Sequence, residues 1–136
     1  MPRYETPLSG KRVLVVEDRY VIAADMCDEV SRMGGEVVGP SASVIRACEL
    51  LAVETVEFAL LDVNLDGTPV FPVAEMLERR GVPFIFLTGY DDFILPDEWR
   101  DRPRLSKPVS SRRLQDEVVK VLSGSALGEV ASADRP

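Results

Sequence analysis

Side chains able to do chemistry fall at the ends of apolar runs in this chain. Glu17-Asp18 follow Val13-Leu14-Val15-Val16, and Asp62 follows Phe58-Ala59-Leu60-Leu61. Thr88-Gly89-Tyr90 follow Phe84-Ile85-Phe86-Leu87, and Lys107-Pro108 follow Arg104-Leu105-Ser106. A carboxylate alone in such a place is a turn cap, a cation ligand or a nucleophile, and Asp is a common turn former. Asp18 in particular could cap a helix beginning near Tyr20. Several carboxylates brought together behave differently, because they repel and raise one another's pKa unless a cation neutralises them. Oxygen donors without His or Cys select a hard cation, of which magnesium is the physiological choice. Acids, metal, a Thr88 hydroxyl and a Lys107 ammonium would together suit a transferring phosphoryl group, with Asp62 as the attacking carboxylate. Gly89 leaves room for the donor to approach.

The elements that must position these residues alternate. Apolar runs at 11–16, 58–61 and 82–87 suit strands buried on both faces, whereas Glu36–Pro40 and Arg104–Ser106 are short and polar, as edge strands are. Helical spacing marks 20–33 (Ile22, Met26, Val30, Met33 inward) and 43–52 (Val44, Ala47, Leu51 inward). It also marks 70–80, with Pro72 in the first turn, and 111–122 (Leu114, Val118, Val121 inward). Between 91 and 101 the pattern weakens, and Pro96 forbids one long regular helix. The result is an α/β fold of five β-α units, a doubly wound parallel sheet with a weak or irregular fourth helix. Placing the apolar strands inside gives the flavodoxin-like order 2-1-3-4-5, with a switch point between the strands ending at Val16 and Leu61. Glu17, Asp18 and Asp62 then leave adjacent strands at one lip. Residues 10–124 form the domain, 1–9 read as a loose arm and 125–136 as a flexible tail.

Composition narrows the function classes. With 136 residues the chain is one domain able to bury a core, and its net charge of −7 repels nucleic-acid phosphates. No apolar run reaches membrane-spanning length and the N-terminus lacks a secretory signal, so no membrane association and a cytoplasmic location are expected. Histidine is absent, which excludes a Ser-His-Asp triad, and any phosphohistidine in the chemistry must come from another protein. Cys27 and Cys48 fall in helical patterns as free thiols. No Gly-x-Gly-x-x-Gly follows the first strand, so a dinucleotide site is not expected.

Val15-Val16-Glu17-Asp18, Leu61-Asp62-Val63-Asn64-Leu65, Leu87-Thr88-Gly89 and Ser106-Lys107-Pro108 together resemble the signatures of bacterial two-component response-regulator receiver domains. The resemblance implies that Asp62 is the phospho-acceptor, that Glu17 and Asp18 help hold Mg2+, and that the Asn64 backbone carbonyl is a further ligand. It also implies that Thr88 and Lys107 contact the phosphoryl group, that Gly89 and Tyr90 belong to the switch, and that Lys107-Pro108 is cis. Pro83–Tyr90 looks like the motif of the FAT GUY class of single-domain receivers, linked to HWE histidine kinases, although Leu87 replaces that class's Ala. Receivers usually carry an aromatic residue where Arg104 stands.

The implied partners are a histidine kinase or phosphotransfer protein and a downstream protein, with the chain a monomer or weak dimer. It would act by contact or as a phosphate sink, either alone or as a module of a hybrid kinase or larger regulator. It would not be an enzyme beyond its own phosphoryl transfer and dephosphorylation. An aspartate-nucleophile phosphatase of the haloacid-dehalogenase type would need an acid where Asn64 stands. The segment from Gly89 to Trp99 is expected to have low local stability and to order on phosphorylation.

Overall fold

The computed structural model describes residues 6–89 and 95–134, with side chains described through residue 124. Strands β1 (Arg12–Val16), β2 (Glu36–Ser41), β3 (Phe58–Asp62), β6 (Phe84–Thr88) and β7 (Arg104–Ser106) form a sheet in the order β2-β1-β3-β6-β7. Every pairing in it is parallel. Counting only the strands of this sheet, the order is the 2-1-3-4-5 read from the sequence. The helices are α1 (Tyr20–Arg32), α2 (Val44–Val53), α3 (Phe71–Arg79) and α4 (Ser111–Asp134).

Alternation along the strands divides the core in two. Val13, Val15, Phe58, Leu60, Ile85, Leu87 and Leu105 meet Met26 and Val30 of α1 and Leu114, Val118 and Val121 of α4. Leu14, Val16, Ala59, Leu61, Phe84 and Phe86 meet α2 and α3 on the other face. The inward residues expected of α1 and α4 are in this core, with Ile22 partly buried at its margin. In α2, Ala47 and Leu51 are buried and Val44 is partly so. Ser43 caps α2, its hydroxyl accepting from Arg46 N at 3.1 Å.

Four local features depart from the sequence reading. Leu8, placed in a loose arm, is fully buried, and its N–H donates to Met33 O at 3.0 Å. A lone apolar residue has no period to betray it. Strand β2 runs through Gly39-Pro40 to Ser41, whose carbonyl accepts from Glu17 N at 2.9 Å. Helix α4 continues past Leu122 to Asp134, through the segment expected to be a flexible tail.

The fourth departure is a hairpin. The turn after Asp62 holds two short antiparallel strands, β4 (Asn64–Leu65) and β5 (Thr68–Pro69). They are joined by Asp66 and Gly67 at φ +53° and +91°. Positive φ at both central positions is the geometry that Asp-Gly pairs favour between right-twisted strands. Between β6 and β7 the described residues hold one 3₁₀ turn, Asp97–Trp99, where the sequence suggested a weak or irregular helix. Trp99 is buried there, stacked on Phe71 at 6.1 Å and set edge-on to Phe86 at 5.9 Å.

Candidate functional site

The same alternation that builds the core assembles the site. Glu17 continues the Val13-Val15 face, Asp62 the Phe58-Leu60 face, and Lys107 the face of Leu105. All three therefore leave their strands on the α1/α4 side, at the strands' C-terminal edge. Glu17 and Asp62 are buried, 2% exposed each. Lys107 Nζ lies 2.9 Å from Glu17 Oε1 and 3.2 Å from Asp62 Oδ1. Its own N–H donates to Thr88 O at 2.7 Å, which ties the lysine's backbone to the end of β6. The Lys107–Pro108 peptide bond is cis.

Backbone groups complete the frame. Asn64 N–H donates to Asp62 Oδ1 at 3.2 Å, and Arg19 N–H donates to Glu17 Oε2 at 3.1 Å. Glu17 Oε1 is buried and close to Lys107, yet makes no hydrogen bond of acceptable geometry, so this oxygen keeps capacity to accept a ligand. Asp18 does not cap α1. Arg19 holds the cap position and makes no side-chain capping bond.

Oxygens of Glu17, Asp18 and Asp62 lie within 4.8 Å of one another. Three ionised carboxylates against one ammonium leave two formal negative charges, the complement of a divalent cation. The donors are all oxygen, as a hard cation requires. Burial and the Glu17 charge push the Asp62 carboxyl up to about 7, although Lys107 and the Asn64 N–H pull the other way. Burial alone would lower the Lys107 pKa, but its close ion pairs with Glu17 and Asp62 outweigh it and raise it.

A cleft of about 760 Å³ opens above these groups, walled by Asp18, Arg19, Asp62, Asn64, Gly89 and Lys107 among others. Thr88 is half-buried and takes no part in this lining; by alternation it follows Phe84 and Phe86 onto the opposite face. Tyr90 lies outside the described residues. Arg104 is exposed and donates from Nη1 to Arg100 O at 3.2 Å. Sequence reasoning missed the bond from Ser111 Oγ to Glu29 Oε1, 2.8 Å, which ties α4 to α1 beside the cleft. Neither residue stands at a strand end, where the signal was sought.

Comparison with known proteins agrees with this arrangement. No family model matches the chain. The transcriptional regulatory protein PdtaR of Mycobacterium tuberculosis is 26% identical over 109 residues, covering 78% of this chain and 52% of that protein. The chain thus spans about half the length of the curated relatives it matches. SdrG from Sphingomonas melonis Fr1 superposes with a TM-score of 0.76 at 33% identity, covering 85% of this chain and 98% of SdrG. The response regulator PhyR from Brucella abortus gives 0.77 at 25% identity, over 93% of this chain and 54% of that one. The PhyR response-regulator REC domain of Erythrobacter litoralis gives 0.74 at 27%, over 85% and 92%. With the parallel sheet, the lip of acids and the lysine in place, the chain belongs to the response-regulator receiver domains.

Proposed function

We propose that this receiver accepts a phosphoryl group on Asp62 from the phosphohistidine of a histidine kinase, with Mg2+ held by Glu17, Asp18, Asp62 and the Asn64 carbonyl. The observation that carries this reading is the position of Lys107 Nζ, within 3.2 Å of both the buried Asp62 and Glu17. A fixed ammonium beside the attacking carboxylate neutralises charge on the transferring group's equatorial oxygens. The metal, when bound, supplies the same kind of neutralisation. Asp62 then attacks phosphorus, the bond to the donor nitrogen breaks, and the imidazole leaves with the electron pair.

The kinase is proposed to be of the HWE type on the FAT GUY resemblance of Pro83–Tyr90. The phosphorylated domain acts in the cytoplasm through contact with a partner protein or as a phosphate sink, with Thr88, Gly89 and Tyr90 in the switch. Among the described residues no helix is long and apolar enough to cross a membrane.

Phosphatase turnover is disfavoured. A dehalogenase-type enzyme would use an acid at position 64, but the Asn64 Oδ1 accepts from Gly67 N at 2.7 Å and holds the hairpin instead. Phosphotransfer profiling against the host's autophosphorylated kinases tests the proposal. Fast, selective, magnesium-dependent transfer from an HWE kinase is expected; transfer from none of them would reject the kinase assignment.

A further inference from the structure

A second cavity, of about 440 Å³, lies at the opposite edge of the sheet from the acids, between the starts of β6 and β7 and the side of α4. Phe84 and Val121 are buried against it, and Val82, Pro83 and Pro103 line it half-buried. Its volume and apolar lining are those of small-molecule sites, in which a few polar groups fix the ligand's orientation.

Four charged side chains rim this cavity. Two are committed to each other: Arg102 Nη2 pairs with Glu78 Oε2 at 2.7 Å, and the Arg102 guanidinium lies 5.0 Å from the centre of the Trp99 ring. Glu117 and Lys120 make no hydrogen bond or ion pair among the described residues. Yet a glutamate three residues before a lysine is at a spacing where helix side chains pair. With Val121 and Gly124 they form one stripe of α4 along the cavity. Gly124 leaves one end of the cavity open. It sits inside α4, where glycine is less favourable than alanine. A Cβ there would meet no atom within 4 Å, so packing does not exclude a side chain.

We propose that this cavity binds an α-amino acid with a large apolar side chain. That side chain lies against Phe84, Pro83 and Val121, while the carboxylate pairs with Lys120 and the ammonium with Glu117. An α-amino acid carries both charges on one carbon, within reach of side chains one helical turn apart. One ligand then answers both unpaired charges of the rim, whereas an apolar anion or an apolar cation would answer only one.

The test titrates isotope-labelled wild type with L-phenylalanine and follows amide shifts by NMR. Three relatives each lack one part: phenylpropionate has no ammonium, phenethylamine no carboxylate and glycine no apolar side chain. Saturable shifts centred on residues 78–84, 102–103 and 117–124 are expected with phenylalanine. Each relative should bind about tenfold more weakly or worse, the worth of one charge-assisted hydrogen bond. Glu117→Gln should weaken phenylalanine about tenfold and leave phenylpropionate unchanged; Lys120→Gln should do the same with phenethylamine as the unaffected ligand. Gly124→Leu, which fills the cavity, should abolish binding, with circular dichroism confirming the fold of each variant. No saturable shift with phenylalanine, shifts centred elsewhere, or unchanged binding in Gly124→Leu would overturn the site. Equal affinity of wild type for phenylalanine and either one-charge relative would overturn the assignment of a zwitterion.

Discussion

Lys107 Nζ sits 3.2 Å from Asp62 Oδ1 and, at the same time, 2.9 Å from Glu17 Oε1. One buried ammonium thus serves two buried carboxylates, and Asp18 adds a third acid nearby. Charge is underbalanced by design of the fold: strands that end side by side deliver their acids to one place.

Lys107→Met should destabilise the metal-free domain by about 3 kcal/mol at neutral pH, because it leaves buried carboxylates without their cation. Urea unfolding in a chelator measures this. An unchanged midpoint would show that the acids are already neutral without the lysine.

The Asp62 carboxyl sits at about 7, above its ordinary value of 3.8. Between those limits the folded state binds more protons than the unfolded chain, so this group's contribution weakens as pH rises through the window. Metal-free wild type should therefore lose stability from about pH 4 to pH 7 relative to Asp62→Asn. Thermal melts of both proteins across that range check the sign. Parallel curves would mean that Asp62 ionises normally in the fold.

Magnesium should raise the melting temperature of wild type, since a ligand that binds only the native state stabilises it by mass action. Glu17→Gln together with Asp18→Asn should remove that gain while raising metal-free stability through lost repulsion. A double variant that still gains from magnesium would move the metal elsewhere.

Trp99→Ala should cost about 3 kcal/mol, as truncation of a buried aromatic does. The ring fills the space against Phe71, Phe84 and Phe86 on the α2/α3 face of the sheet. Chemical denaturation of the variant measures the loss, and a cost below about 1 kcal/mol would show that the turn is not an anchor for this face.

The strand order was legible because polarity differs so sharply between interior strands such as Phe58–Leu61 and edges such as Arg104–Ser106. Glu17, Asp62 and Lys107 were legible for a related reason: each marks where an apolar run stops, and strand ends in such sheets share a lip. Trp99 was not, since a single aromatic beside Pro96 carries no period from which burial can be read. The hairpin after Asp62 did leave a signal in Asp66-Gly67, but its strands are two residues long, too short for alternation to show. Thr88 ends β6, where its backbone carbonyl accepts from the Lys107 N–H. Its parity in β6 assigns it to the face of Phe84 and Phe86. The pairing of Arg32 with Glu29 depends on side-chain directions that spacing does not specify.

The central claim is that Asp62 takes the phosphoryl group. Wild type and Asp62→Asn, incubated with magnesium and either a phosphorylated kinase or acetyl phosphate, should be digested and mapped by mass spectrometry after borohydride trapping. The account predicts an acid-stable, base-labile modification on Asp62 alone, lost in Asp62→Asn and lost when magnesium is chelated. Equal labelling of the variant, or a modification mapped to another residue, would contradict it.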